Sequence, residues 1–197
     1  MINQTEAMRL IEAARGDAVV IAAQQARLPW VEVSQTPDLD VPFAGCMSKG
    51  SSLALGLALA QRGRRTILLD ADGSLLMNLG SLVTIVQQSP PNLYHFVLEN
   101  GVYAGTGGQP VPGEGRFSFA GLAREAGYRA SYEFDDLEEF ATRLPEVLGQ
   151  PGPVLACLHI EPEVEHRPIH LRPRIRRFNV VLPTLRRALV EEGAAGR

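Results

Sequence analysis

Residues 66–103 constrain this chain more than any other stretch. An apolar, partly β-branched run, Thr66-Ile67-Leu68-Leu69, ends in the acidic glycine turn Asp70-Ala71-Asp72-Gly73-Ser74. Leu75, Leu76, Leu79, Leu82, Val83 and Val86 then recur at helical spacing and predict one helix over 75–88. Ser89-Pro90-Pro91-Asn92 must end it, because proline lacks the amide donor and clashes with the preceding turn. Residues 93–98 read as a second buried strand, closed by Glu99-Asn100-Gly101. In a strand–helix–strand unit the two strands run parallel, so both polar turns emerge on one edge of the sheet. Asp72 and Asn100 are therefore expected side by side, where open α/β sheets bind ligands.

The residue types suggest what such a ligand would be. Asp72 offers a hard anionic oxygen and Asn100 a neutral amide oxygen, a pair suited to magnesium or calcium. Magnesium takes few protein oxygens and completes its shell with water and phosphate. Gly73 and Ser74 open the predicted helix, so their amides and the positive helix end face a bound phosphate. Each feature alone is also an ordinary acidic cap or Asn-Gly turn. Their pairing across one unit is what points to a metal-bridged diphosphate.

These segments resemble the thiamin diphosphate fingerprint, an Asp-containing glycine turn followed at a similar remove by an Asn. Here Asp72-Gly73-Ser74 is followed 28 positions later by Asn100-Gly101. Gly45-Cys46-Met47-Ser48-Lys49-Gly50-Ser51-Ser52 is similar to the Gly-Ser-Met-Gly-His-Ala-Ser-Ser segment of phosphonopyruvate and sulfopyruvate decarboxylases. Gly107-Gly108-Gln109-Pro110 matches a stretch of the same group, and the order of all three segments agrees over most of residues 1–165. The resemblance implies magnesium ligands at Asp72, Asn100 and the Val102 carbonyl. It implies cofactor contacts at Gly45, Cys46, Met47, Asp72, Gly73, Ser74, Asn100, Val102 and Tyr103. Met47 would press between the rings of the cofactor, and the Gly45 carbonyl would accept from its aminopyrimidine. Lys49 replaces a His of the relatives, and is either an attractant for an anionic group or a solvated cation. Arg27 alone corresponds to the relatives' Thr-Gly-Lys-x-Ser-Arg-Glu stretch, as a surface charge or a substrate contact.

Length and composition set bounds on the rest. At 197 residues, 45% hydrophobic and 21% charged, the chain has enough apolar material for one soluble α/β domain with a sizeable core. A net charge of −3 gives no reason to expect nucleic acid. Cys46 and Cys157 are far apart and form no CxxC, so neither zinc nor an iron–sulfur cluster is expected. Isolated cysteines, no signal-like N-terminus and no long apolar run point to a cytoplasmic protein without a membrane span.

Along the chain, helix 5–14 with Thr5 as cap precedes a buried strand over 18–23. Residues 37–43 read as a loop, and 48–62 as a helix rich in small residues. The glycine- and proline-rich 104–115 is either a loop that closes over a substrate or a connector. Helix 119–127, strand 129–134, a helix over 135–148 capped by Asp135 or Asp136, and strand 154–160 follow. His95, mid-strand, reads as structural. This alternation predicts a three-layer, doubly wound, mostly parallel sheet, and the resemblance makes it the thiamin diphosphate-binding fold. Residues 1–165 form the diphosphate-binding domain in this reading, and 166–197 a basic arm with a short closing helix over 180–192, broken in part by Pro183.

In the family, a glutamate on a second, pyrimidine-binding domain activates the cofactor. This chain has room for one such unit, so the resemblance implies a separate pyrimidine-binding subunit, hence an oligomer. The function so implied is a magnesium- and thiamin diphosphate-dependent decarboxylase subunit acting on a small 2-oxo acid such as sulfopyruvate or phosphonopyruvate. Another thiamin-dependent synthase or oxidoreductase subunit, or a cofactor-binding module without turnover, stays open. No side chain is assigned a proton-transfer role.

Overall fold

The computed structural model describes residues 1–163 and 174–195. In chain order its helices are α1 (Gln4–Ala14), α2 (Arg27–Val33), α3 (Gly50–Ala60), α4 (Asp72–Leu76), α5 (Gly80–Gln88), α6 (Phe119–Ala126), α7 (Leu137–Gly149) and α8 (Phe178–Ala195). Its strands are β1 (Val19–Ala23), β2 (Asp40–Phe43), β3 (Thr66–Ala71), β4 (Leu93–Glu99), β5 (Val102–Tyr103), β6 (Gln109–Pro110), β7 (Ala130–Phe134) and β8 (Val154–His159). Six of them form one parallel sheet in the order β2-β1-β3-β4-β8-β7, and β5 pairs with β6 as a short antiparallel ribbon.

Both faces of the sheet are covered, which is why its strands are near-continuous apolar runs. On one face Val20, Ala22, Phe96 and Ala156 meet Met8 and Ile11 of α1, Trp30 of α2 and Phe140 and Leu144 of α7. On the other, Ile21, Leu68, Val97 and Leu155 meet Ala54 and Ala58 of α3, Leu82 and Ile85 of α5, Ala123 of α6 and Val181 and Leu185 of α8. The expected three-layer doubly wound architecture is therefore present, with the central sheet wholly parallel. Among the described residues no helix is long and apolar enough to cross a membrane.

Several local expectations need correction. Residues 40–43, expected as loop, form β2; Pro42 within them is tolerated because β2 is an edge strand. The single helix expected over 75–88 is two helices, α4 and α5, with a turn at Met77-Asn78-Leu79. Asn78 turns its amide to the Ser48 carbonyl at 3.0 Å, and Ser81 restarts the helix by donating to the Asn78 carbonyl, also at 3.0 Å. Apolar periodicity continues through this turn, so it conceals the break. Asn3 caps α1 by accepting from the Glu6 amide, in place of Thr5. The closing helix is longer than expected and runs through Pro183, which lies in its second turn. It is seated on β2, where the Phe43 and Phe178 rings are 5.9 Å apart. The extended arm expected over 166–177 falls outside the described residues up to 173; beyond it Arg176 pairs with Asp38 at 3.0 Å.

Candidate functional site

β3 and β4 are in parallel register, Ala71 opposite Leu98, so the turns that follow them leave the same edge. There the Asp72 carboxylate joins the two turns. Its Oδ2 accepts from the amides of Asn100 (3.1 Å) and Gly101 (2.8 Å), and its Oδ1 from Gly73 (2.7 Å). The Asn100 Oδ1 accepts from the Val102 amide at 3.0 Å. Asp72 is only 3% exposed. Burial raises its pKa against three amide hydrogen bonds that lower it, and the nearby Glu99 charge raises it further. A buried carboxylate held in this way favours a cation beside it.

A cavity of about 340 Å³ opens against these turns. Of the nine residues expected to contact a cofactor, Met47, Asp72, Gly73, Ser74, Asn100, Val102 and Tyr103 line it, while Gly45 and Cys46 stand outside the lining and are exposed. A Cβ at Gly73 would overlap the Tyr103 ring as it now stands, so the bare Cα is what lets that ring lie against α4. Lys49 is exposed and outside the lining. A larger cavity of about 570 Å³ runs along α8, but Leu182, Pro183, Arg186, Arg187 and Val190 offer no carboxylate or amide side chain to hold a metal.

The placement of Met47 depends on a lock that the sequence did not announce. Ser48 has φ +72°, in the left-handed region that disfavours residues with a Cβ. Its amide donates to the Ser74 Oγ at 3.0 Å, and its carbonyl accepts from the Asn78 side chain at 3.0 Å. Two hydrogen bonds at one residue thus fasten the 45–49 loop over α4 and hold the strained conformation. The Ser74 Oγ accepts from the loop in this bond, which leaves its O–H and its backbone amide to donate to a ligand.

The sequence reading also passed over the end of β1. Gln24 (φ +51°) and Gln25 line the cavity, and the Gln24 Nε2 is buried with no hydrogen-bond partner. Arg27, the one residue singled out in this stretch, lines the cavity too. Its Nε donates to the Gln24 carbonyl at 2.8 Å, and burial lowers its pKa. The signal that was available is topological: β1 neighbours β3, so its C-terminal turn must reach the same edge. His95 takes no part. It is buried in the sheet, 3.4 Å from the Tyr128 hydroxyl and 3.5 Å from Asp70 with poor alignment, as its reading as structural anticipated.

Comparison with known proteins bears on this site. Residues 26–157 match the family described as thiamine pyrophosphate enzyme, C-terminal TPP binding domain. Sulfopyruvate decarboxylase subunit beta of Methanothermobacter thermautotrophicus is 36% identical over 164 residues, covering 82% of this chain and 84% of that protein. Phosphonopyruvate decarboxylase of Streptomyces hygroscopicus is 38% identical over 133 residues, 66% of this chain. That match spans about a third of the Streptomyces protein, 33% of its length. Among solved structures, benzoylformate decarboxylase from Polynucleobacter necessarius superposes with a TM-score of 0.70 at 20% identity, over 84% of this chain and 34% of that one. At that identity the likeness concerns the fold alone.

Proposed function

Because this chain belongs to the thiamine pyrophosphate enzymes, through their C-terminal TPP-binding domain, we propose that it is the diphosphate-binding subunit of a cytoplasmic, magnesium-dependent 2-oxo acid decarboxylase. In this reading residues 1–165 bind the cofactor beside a separate pyrimidine-binding subunit, while α8 closes this chain's own sheet through Val181 and Leu185. The observation that carries the proposal is the Asp72 carboxylate, buried at the cavity edge and clamped by the amides of Gly73, Asn100 and Gly101. Two kinds of relative support the substrate class, an anionic 3-substituted pyruvate: a sulfopyruvate decarboxylase beta subunit and phosphonopyruvate decarboxylases. The name "subunit beta" of the former supports the division of the site between two chains.

The residues present fit the cofactor and its metal. Asp72, Asn100 and the Val102 carbonyl form an all-oxygen donor set of low charge, which suits magnesium and leaves positions for phosphate and water. Gly73, Ser74 and Tyr103 border the room for the diphosphate, and the bare Cα of Gly73 permits close approach. Met47 would support the bent cofactor, with Gly45 and Cys46 beside its pyrimidine. The Arg27 guanidinium, half-buried at the cavity, would draw in the anionic substituent of the substrate. Thiamin diphosphate, when bound, supplies the carbon nucleophile and electron sink that decarboxylation requires. The chain's own residues bind, orient and neutralise charge.

Calorimetric titration of thiamin diphosphate with magnesium, on wild type and Asp72→Ala, alone and with the co-encoded partner, tests this. Binding that requires magnesium, falls at least about 100-fold in the variant (roughly 2.7 kcal/mol) and strengthens with the partner supports the reading. Equal binding by Asp72→Ala, or none under any condition, refutes it.

A further inference from the structure

Immediately behind the Asn100 turn, the sheet register brings a second set of ligand-type side chains together. Glu99 of β4 lies opposite His159 of β8, and Glu133 of β7 lies opposite Cys157 of β8. Cys157 and His159 are two residues apart on one strand, so all four side chains leave the same face of the sheet. The Cys157 Sγ is 2.9 Å from the Glu99 Oε2, and the His159 Nδ1 is 3.5 Å from that same oxygen. All three ligand-type atoms lie within 4.8 Å of one another. On the far side of the imidazole, His159 Nε2 is 2.8 Å from Glu133 Oε1, and Glu133 Oε2 accepts from the Ser118 hydroxyl at 2.7 Å. Among the described residues no other group of three such side chains is gathered this closely.

We propose that Glu99, Cys157 and His159 form a binding site for a zinc-like divalent cation, separate from the Asp72–Asn100 pair. Tetrahedral zinc with sulfur, nitrogen and oxygen ligands places its donor atoms roughly 3.3–3.6 Å apart. The His159–Glu99 spacing already meets this, the Cys157–Glu99 spacing has to open by about half an ångström, and the Cys157–His159 spacing, within 4.8 Å, has to settle to the same range as the ion draws the three together. The donor set discriminates between metals. Thiolate and imidazole suit zinc and its neighbours, whereas magnesium takes oxygen, so the two sites would not compete for one ion. The hydrogen bond from His159 to Glu133 is the outer carboxylate contact that metal-bound histidines make. With the proton on Nε2 it turns the Nδ1 lone pair toward Glu99 and Cys157. Binding would release the Cys157 thiol proton to solvent and leave a thiolate, a carboxylate and a neutral imidazole on the metal. The His159 side chain is 33% exposed, which leaves an approach for the ion and a fourth position for water. A metal here would fasten β4 to β8 and, through Glu133, to β7, directly beneath the turn that carries Asn100. Cysteine pairing, the usual sign of zinc in a sequence, does not reveal such a site, because three different residue types supply it from two strands.

Cobalt(II) titration of the untagged, chelator-treated chain tests this in a Cys46→Ser background, so that the exposed Cys46 contributes nothing. The expected result is one cobalt per chain with a near-ultraviolet thiolate-to-metal charge-transfer band that zinc abolishes and excess magnesium does not. The band should vanish in Cys157→Ser and persist in Asp72→Ala. Glu133→Gln, at an exposed position, weakens the outer contact and should lower affinity about 10–100-fold. His159→Ala, at a partly exposed position, provides a second ligand variant if Cys157→Ser does not fold, and should also lose the band. Absence of the band at saturating cobalt would overturn the proposal and leave a hydrogen-bonded Cys–Glu–His network. Persistence of the band at unchanged cobalt affinity in His159→Ala would overturn it as well. None of these readouts involves thiamin diphosphate, so they stand or fall independently of the proposed enzyme activity.

Discussion

Gly73→Ala is the sharpest test of how the cavity is built. A Cβ at this position would overlap the Tyr103 Cε1 and lie 3.0 and 3.1 Å from its Cδ1 and Cζ. Overpacking of this kind costs about 1–3 kcal/mol. Residue 73 is helical and not in the left-handed region, so alanine also removes a glycine from a helix, which returns about 0.5–1 kcal/mol. The net effect is a loss of about 0–2.5 kcal/mol, read as the urea midpoint at unchanged slope. The decisive comparison is with Tyr103→Ala. Without the ring the clash is gone and only the helix term remains, so Gly73→Ala should become stabilising, with a coupling of about 1–3 kcal/mol between the two sites. The alternative to strain is rotation of the ring into the cavity, where it would weaken thiamin diphosphate binding at least about tenfold. An equal effect of Gly73→Ala in both backgrounds, with unaltered ligand binding, would refute the close approach of Tyr103 to Gly73.

Three further outcomes follow from other parts of the molecule. Ser48→Gly should raise stability by about 1 kcal/mol, since it relieves a left-handed residue whose two locking bonds involve only its backbone; chemical denaturation measures this. Arg15→Met should cost about 3–5 kcal/mol, because the buried guanidinium lies 3.1 Å from Glu12 and 2.8 Å from Asp40 and its loss strands both carboxylates. A small shift of the urea midpoint would show that burial of those acids is easily relieved. Asn92→Ala should lose about 1–3 kcal/mol, because one side-chain amide serves the carbonyl of Ala58 in the last turn of α3 and those of Gln61 and Arg64 just beyond it. Hydrogen exchange in the last turn of α3 should quicken in the same variant.

The features that depend on local pattern were legible in the residues alone. Apolar runs of strand length marked β1, β3, β4 and β8, and proline and glycine punctuation marked most of their ends. The strand–helix–strand order alone required Asp72 and Asn100 to share an edge, and two hydrogen bonds, from the Asn100 and Gly101 amides to the Asp72 carboxylate, join those turns. Features that depend on distant partners emerged only in the folded chain. Asn78 breaks the helix because Ser48, 30 residues earlier, offers it a carbonyl. β2 is a strand because β1 offers it an edge, although its own sequence carries Pro42 and reads as loop. Gln24 reaches the cavity only because β1 lies beside β3. Glu99, Cys157, His159 and Glu133 converge because register, set by the packing of whole strands, decides which side chains share a face. Periodicity and turn chemistry report on neighbours in the chain, whereas sites are made by neighbours in space.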